Sequence, residues 1–208
     1  ATPTHPQSPQ HVLPEREKAP KTETTSPSRL LPAHFPPPRE IWMRAPSPPS
    51  VLLVTLDTTR ADHLSPYGAS IDTYAYEELA DAGVLFERAY APYPLTIPSH
   101  ATILTGKTPP AHGVRDNGEF ILGDGHVTLA ERFLDAGYAT AAFTAAFPTQ
   151  SHWGFGQGFE VYHDPLERSA SARDWRDERR AEDVIGDAMR MMDDVEGPLF
   201  LWVHLFDA

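Results

Sequence analysis

Residues 94–118 read PLTIPSHATILTGKTPPAHGVRDNG and carry the strongest functional signal of the chain. In this stretch the hydroxyl residue Thr96 stands just before Pro98, and the seven residues that lead to Gly106 predict a short helix. A helix N-terminus presents unpaired backbone N–H groups and the positive end of the helix dipole. The stretch therefore predicts a binding site for an anion such as phosphate or sulfate, with a hydroxyl group at its edge.

The composition of the chain excludes several classes of function. Its 208 residues carry a net charge of −12, which argues against a nucleic-acid-binding surface. There is no cysteine, so disulfides and thiolate metal sites are excluded. No apolar run approaches the roughly 20 residues that a membrane helix needs. Because the chain begins at Ala1 and stops directly after an apolar run, we expect a fragment or a processed piece.

Residues 1–49 differ in composition from the rest of the chain, since they hold thirteen of its 22 prolines. Such a segment cannot bury enough apolar surface to offset the entropy lost on ordering. We predict a disordered, Pro-rich linker; a Pro-rich ligand for a partner domain is the alternative. Residues 50–208 are predicted to be the globular part.

The globular part opens with a β-favouring run at residues 51–56, which ends at Asp57. A strand that is apolar on both faces is typical of the centre of a parallel sheet covered by helices. Asp57 would then lie at the carboxyl edge of the sheet, where such folds bind ligands. Residues 73–82 predict a helix, and residues 84–90 predict a short strand.

The second half of the chain continues this alternation. Thr128 is predicted to cap a helix that runs through Ala136, and residues 138–144 predict a strand. Residues 174–195 predict the longest helix, and residues 199–206 predict another buried strand. This order of elements is typical of an α/β domain whose largely parallel sheet is flanked by helices.

Asp57 and Thr96 are the candidate catalytic pair, because both are expected at the carboxyl edge of the sheet. A carboxylate and a hydroxyl group that converge there can share a divalent cation, which activates the hydroxyl group as a nucleophile. From spacing alone, a loop or capping role for Asp57 and a turn role for Thr96 remain alternatives.

The histidines are expected to contribute less. His112 is predicted to order a turn, and His63 and His126 are predicted to be surface residues. His204 lies inside an apolar strand, where a core role is favoured, although its place near the strand end keeps a role in the site open.

Several ordered motifs resemble the N-terminal part of the sulfatase family, within the alkaline phosphatase superfamily. They read LLVTLDTTRADHLSPYG, DAGVLFERAYAP, LTIPSHATILTG and PAHGVRDNG, followed more loosely by LAERFLDAGYATAAF, WGFGQGFEVYHD and PLFLWVHLFDA. The likeness covers roughly residues 50–208. It implies the N-terminal portion of an alkaline-phosphatase-like α/β domain, in a metal-dependent enzyme that acts on phosphate or sulfate esters.

The sequence departs from the sulfatase pattern at four places. The family's central motif is Cys or Ser, any residue, Pro, Ser, Arg, and its Cys or Ser becomes formylglycine, whose hydrate attacks sulfur. Here Thr96 holds the nucleophile position, and His100 replaces the Arg. Thr58 replaces the second Asp of the family's metal pair, and residues 144–147 replace the expected Gly-Lys-Trp-His.

These departures resemble the nucleotide pyrophosphatase/phosphodiesterase branch, which uses a metal-bound Thr in a Thr-x-Pro-Asn-His motif. The resemblance implies that Thr96 attacks a phosphoester and forms a phospho-enzyme, with His100 in the same motif. It implies that Asp57 and Thr96 hold a divalent metal ion (Zn, Ca or Mn), and that Asn117 holds the substrate phosphate.

The reading we favour is hydrolysis or transfer of phosphate esters, with a small-molecule, lipid or glycan ester as substrate. Sulfate ester hydrolysis is the second reading, and a non-catalytic or truncated family member with a binding role is the third. The family's remaining metal ligands are expected in a later part of the chain, so we predict that the 208-residue piece alone is inactive. The Pro-rich segment, and the location that the resemblance to this family implies, are compatible with a periplasmic or secreted protein.

Overall fold

The computed structural model of the protein describes residues 48–164 and 178–207. The linker predicted for residues 1–49 lies outside this part except for its last two residues, and so does the predicted helix start at residue 174. Within the described ranges, no helix is both long enough and apolar enough to cross a membrane.

A parallel sheet forms the centre of the described structure. Its strands are β1 (Val51–Leu56), β2 (Ala139–Thr144), β3 (Val161–His163) and β4 (Leu199–Leu205). They lie in the order β1-β4-β2-β3, and every pairing is parallel. The helices are α1 (Tyr74–Ala82), α2 (Thr96–Thr105), α3 (Pro109–His112), α4 (Leu129–Asp135) and α5 (Ala181–Asp194). The predicted α/β fold with a parallel sheet is confirmed.

The core lies on both faces of β4, because successive side chains of a strand point to opposite faces. On one face, Trp202 packs in a cluster with Ile97 and Leu104 of α2. On the other face, Leu201 packs in a cluster with Val184 of α5. Side chains of this kind contribute about 1.5–3 kcal/mol each when fully buried. The sheet is therefore held between α2 and α5.

The prediction that β1 is a central strand is wrong for the described part of the chain. There β1 pairs only with β4 and lies at the edge of the sheet. Leu52 and Val54 are 53% and 47% exposed. An apolar run predicts a strand without a polar face, but the place of a strand in the sheet depends on distant partners. β4 occupies the central place instead.

The strand predicted for residues 84–90 does not form. Val84 and Tyr90 are 78% and 86% exposed, and no strand in the described ranges pairs with this segment. A β-strand needs a neighbour for its backbone N–H and C=O groups, and a local pattern cannot supply one. Conversely, the three-residue strand β3 was too short to be predicted.

Two helices begin elsewhere than predicted. Helix α2 begins at Thr96 itself, because Leu95 is extended and the first turn tolerates Pro98, which has no N–H to contribute. Its predicted end at Gly106 is confirmed, with a left-handed φ of 67°. Helix α5 begins at Ala181, since Arg180 before it is extended.

Helix α4 is capped as predicted. The Thr128 hydroxyl accepts a hydrogen bond from the Glu131 N–H, and the Glu131 carboxylate accepts one from the Thr128 N–H. This reciprocal capping box satisfies two otherwise unpaired donors. Gly158 packs against it so closely that a Cβ atom would lie 2.2 Å from the Glu131 nitrogen.

Candidate active site

Asp57 lies where β1 and β4 end together. Its backbone N–H donates to the Leu205 carbonyl over 3.0 Å, which extends the pairing of the two strands by one step. Its side chain is buried, and Oδ2 lies 3.4 Å from Nε2 of His204 on β4. The predicted place of Asp57 at the carboxyl edge of the sheet is thus observed.

Thr96 is the first residue of α2, and its side chain is half-buried. The Thr96 hydroxyl lies close enough to the Asp57 carboxylate to help lower its pKa, so the structure brings the two candidate residues together. Both residues line one open pocket of about 380 Å³. Its other walls are formed by Thr55, Leu56, Thr58, Thr59, Ala91, Tyr93, Pro94, Leu95, Ser99, His100 and Ile103.

Asn117 reaches the same helix end from a loop that lies further along the chain. Its Oδ1 accepts a hydrogen bond from the Ile97 N–H over 2.9 Å. Ser99 donates its N–H to the Leu95 carbonyl over 3.0 Å, and Pro98 has no N–H. The helix N-terminus is therefore less open to an anion than predicted, because Asn117 already occupies one of its donors. Asn117 is exposed and does not line the pocket itself.

His100 is buried beneath Thr96. Its Nδ1 lies 2.8 Å from the Thr96 carbonyl oxygen, and because a carbonyl only accepts, Nδ1 carries the proton. Burial, with a smaller contribution from the charge of His204, lowers the pKa of His100 to about 4. The ring is therefore neutral near pH 7 and cannot supply the positive charge of the Arg that it replaces.

The Asp57 carboxyl is held in its ionised form. Burial raises the pKa of Asp57, but the contact with His204, the positive charges that His100 and His204 carry when they are protonated, and the nearby Thr96 hydroxyl together outweigh it. The net pKa of Asp57 is below its usual value. A charged, buried oxygen acceptor thus faces the proposed nucleophile.

His204 is the site residue that sequence reasoning underestimated. It is fully buried, as a core residue would be, yet it contacts Asp57 and its ring lies 5.0 Å from the His100 ring. Its place near the end of β4 could have indicated a position in the site, since parallel strands bring their carboxyl ends together. Thr149, whose Oγ1 lies 3.3 Å from His204 Nδ1, gave no signal in the sequence.

Three further histidines considered in the sequence analysis do not line this pocket. His112 orders its turn as predicted, because Nδ1 accepts from the Val114 N–H and Nε2 lies 3.1 Å from Thr102 Oγ1. His63 is exposed as predicted. His126 is half-buried rather than fully at the surface, and its Nδ1 lies 2.9 Å from Lys107 Nζ.

The oxygen donors of Asp57 and Thr96 are of a kind that divalent cations accept. Oδ2 of Asp57 is buried and lacks a hydrogen bond with good geometry, so a carboxylate oxygen remains available to a cation. Within residues 48–164 and 178–207, no three His, Asp or Glu side chains form a metal-binding group. These two residues fit part of a metal site.

The family model described as Sulfatase matches residues 49–206. An arylsulfatase of Clostridium perfringens is 32% identical over 110 residues, which are 51% of this chain and 23% of that protein. A steryl-sulfatase of Mus musculus is 35% identical over 108 residues, 47% of this chain and 17% of that protein. The chain thus spans about a fifth of the length of these curated relatives.

Solved structures give the same picture of the fold. The phosphonate monoester hydrolase of Agrobacterium radiobacter superposes with a TM-score of 0.62 and is 25% identical, covering 76% of this chain and 41% of that one. The C-terminal periplasmic domain of EcEptC from Escherichia coli superposes with a TM-score of 0.55 at 20% identity, covering 78% of this chain and 44% of that one. The predicted similarity to the alkaline phosphatase superfamily is confirmed.

Proposed function

The chain belongs to the sulfatase family, and from that premise we propose that Thr96 is the nucleophile of a metal-dependent hydrolase or transferase of phosphate esters in the intact protein. One observation carries the proposal: Thr96 stands at the N-terminus of α2 and lines the same open pocket as the buried Asp57 carboxylate, whose pKa its hydroxyl group helps to lower. A hydroxyl group beside a charged acceptor, at the wall of an open pocket, has the surroundings of an activated nucleophile.

The identity of the nucleophile favours phosphate over sulfate esters. Formylglycine is an aldehyde, and an aldehyde can be made only from a side chain whose Cβ bears no further carbon. Cβ of Thr96 carries a methyl group, so this chain does not supply the sulfatase nucleophile. An intact Thr hydroxyl suits direct attack on phosphorus. The solved structure of a phosphonate monoester hydrolase at 25% identity is consistent with a phosphorus substrate.

A divalent metal ion is part of the proposal, held by Asp57 and Thr96 with further ligands from outside the described residues. When bound, such an ion lowers the pKa of a coordinated hydroxyl group and offsets negative charge on the substrate. The buried Asp57 Oδ2, which lacks a well-aligned hydrogen bond, supports this role. Zinc, calcium and manganese all remain candidates.

The protein's own residues then carry the first step. Thr96 Oγ1 forms a bond to phosphorus as the bond from phosphorus to the leaving oxygen breaks, and the hydroxyl proton passes by way of solvent to that oxygen, which leaves as an alcohol. Water or a second alcohol releases the phosphoryl group from Thr96 in a second step. The Asn117 amide, which Ile97 holds at the helix end, donates to a phosphate oxygen. Neutral His100 positions Thr96 by donating to its carbonyl.

Sulfate ester hydrolysis is the second candidate function. It is favoured by the family model and by the curated relatives, which include an arylsulfatase and a steryl-sulfatase. In this case Thr96 would be a direct nucleophile or a binding residue. A non-catalytic family member with a binding role is the third possibility.

A substrate panel separates the three. The full-length protein is assayed with added zinc, calcium or manganese against an aryl sulfate, an aryl phosphate, an aryl phosphodiester and an aryl phosphonate monoester. Thr96→Ala is the test variant and Thr96→Ser the matched control that keeps a hydroxyl group. Phosphorus-ester turnover that only Thr96→Ala abolishes supports the proposal. Turnover of the aryl sulfate alone favours the second candidate, and no turnover favours the third.

A further inference from the structure

Three buried side chains, those of Thr149, His204 and Asp57, form a line in which each contacts the next. Asp57, at the end of this line, belongs to the site. The side chains of Thr149 and His204 are fully buried, and Asp57 is 8% exposed. Thr149 Oγ1 lies 3.3 Å from His204 Nδ1, and His204 Nε2 lies 3.4 Å from Asp57 Oδ2. The imidazole thus stands between a hydroxyl group and the carboxylate that faces Thr96.

The positions of the protons in this line follow from the available acceptors. The Thr149 hydroxyl has one proton and two neighbouring acceptors, the Ala146 carbonyl at 3.0 Å and His204 Nδ1. The Ala146 carbonyl already accepts the backbone N–H of Thr149 over 3.0 Å. Because a hydroxyl group rotates, its proton can turn from this carbonyl to Nδ1 of His204, which is an acceptor when the ring proton lies on Nε2.

The opposite arrangement is unfavourable. If His204 carried its proton on Nδ1, its Nε2 lone pair would face the Asp57 Oδ2 lone pairs inside the protein. Neither atom has another hydrogen-bond partner in the described part of the chain. A buried polar group without a partner destabilises the folded protein. With the proton on Nε2, the ring N–H faces Oδ2 at 3.4 Å, and the contact is attractive instead of repulsive.

We propose that Thr149 and His204 are positioning residues of the active site. The Thr149 hydroxyl donates to His204 Nδ1, and His204 Nε2–H donates to Asp57 Oδ2 and fixes the orientation of the carboxylate. The contact of 3.4 Å is longer than the usual hydrogen bond but within reach of one. The consequence for metal affinity rests on the function proposed above, whereas the proton position does not.

The chain offers a matched control in a second Thr–His pair. His112 Nδ1 accepts from the Val114 N–H, so Nε2 must donate to Thr102 Oγ1, whose proton goes to the Pro98 carbonyl. This pair lies away from Asp57. Thr102→Val removes a half-buried hydroxyl group that also contacts a histidine, without touching the line that leads to the site.

The first measurement is the position of the ring proton, by nuclear magnetic resonance of isotope-labelled histidine nitrogens in the full-length protein. We expect His204 to carry its proton on Nε2, assigned from the signal lost in His204→Gln. Thr149→Val should shift the population toward Nδ1–H, and Thr149→Ser should restore Nε2–H. A wild-type ring protonated on Nδ1 overturns the inference, and a merely structural Thr149 would leave the ring nitrogens unchanged.

The second measurement is zinc or manganese affinity by calorimetry, which needs no turnover. Loss of a residue that orients a metal ligand lowers affinity by about 10–100-fold, so we expect this loss in Thr149→Val, with recovery in Thr149→Ser and wild-type affinity in Thr102→Val. Wild-type affinity in Thr149→Val contradicts the inference. A wild-type protein that binds no metal, yet carries the proton on Nε2, supports the hydrogen-bond line while the metal part of the proposed function fails.

Discussion

Asn117 accepts a hydrogen bond from the Ile97 backbone N–H across 20 residues of sequence, and so joins a loop to the first turn of the helix that begins at Thr96. The oxygen of the Asn117 side chain is used in this bond. Its nitrogen is the group that can donate to a substrate oxygen. The oxygen thus has a structural role, and the nitrogen is left for the substrate contact proposed above.

Asn117→Asp should separate these two roles. The aspartate keeps an acceptor for the Ile97 N–H and a negative charge that suits a helix N-terminus, so stability should be unchanged or slightly higher. It loses the amide donor and repels an anionic substrate, so kcat/KM should fall at least tenfold. Asn117→Ala should lose about 1 kcal/mol of stability as well as activity. Chemical denaturation and steady-state kinetics on both variants check this. Full activity in Asn117→Asp would remove the amide from the mechanism.

Thr58 stands directly after Asp57 with a φ of 56°, a left-handed conformation that a β-branched residue rarely adopts. Replacing it by Gly relieves about 1–2 kcal/mol of backbone strain and adds about 0.5–1 kcal/mol of unfolded-state entropy. Thr58→Gly should therefore be neutral to slightly stabilising. Thr59→Gly, at a neighbour without positive φ, should lose about 0.5–1 kcal/mol. Urea denaturation of both variants checks the contrast, and an equal loss in both would contradict it.

Gly158 and Gly137 have the same φ of 83° but different surroundings. A Cβ at residue 158 would collide with the Glu131 backbone, whereas one at residue 137 would meet nothing within 4 Å. Gly137→Ala should lose about 1–2 kcal/mol from backbone strain alone. Gly158→Ala should lose about 1–3 kcal/mol more, because the capping box of α4 must move. Melting temperatures give the order, and a smaller loss in Gly158→Ala would be the contrary result.

His112 should make the stability of the protein depend on pH. Burial, followed by the charge of His126, lowers the pKa of His112 in the folded state. Below the unfolded value of about 6.5, the unfolded chain therefore binds more protons than the folded one, and stability falls as the pH falls. His112→Asn should show a weaker dependence between roughly pH 7 and pH 5. Denaturation midpoints at both pH values test this, and an identical slope in the variant would count against it.

The sequence predicted those features of the fold that depend only on residues close together in the chain. The apolar run that ends at Asp57, the Gly106 stop and the Thr128 cap each depend on a few neighbouring residues, and each was found as predicted. The likeness of residues 49–206 to sulfatases was visible in ordered motifs, and the family model confirms it.

Other features depend on partners that are distant in sequence. β1 is at an edge rather than at the centre because only β4 pairs with it in the described part, and residues 84–90 have no strand partner there. For the same reason, the sequence did not predict the contact of His204 with Asp57. An apolar strand predicts a core histidine, and only the register of β4 against β1 brings that histidine to Asp57.

The central claim is that Thr96 becomes covalently attached to the transferred group. Full-length protein is mixed with an aryl phosphodiester that carries labelled phosphorus, quenched in acid during turnover, and digested for mass spectrometry. The account predicts one labelled phosphoryl group on Thr96 in the wild-type protein, and neither label nor turnover in Thr96→Ala. Turnover with an unlabelled Thr96, or with the label on another residue, would contradict it.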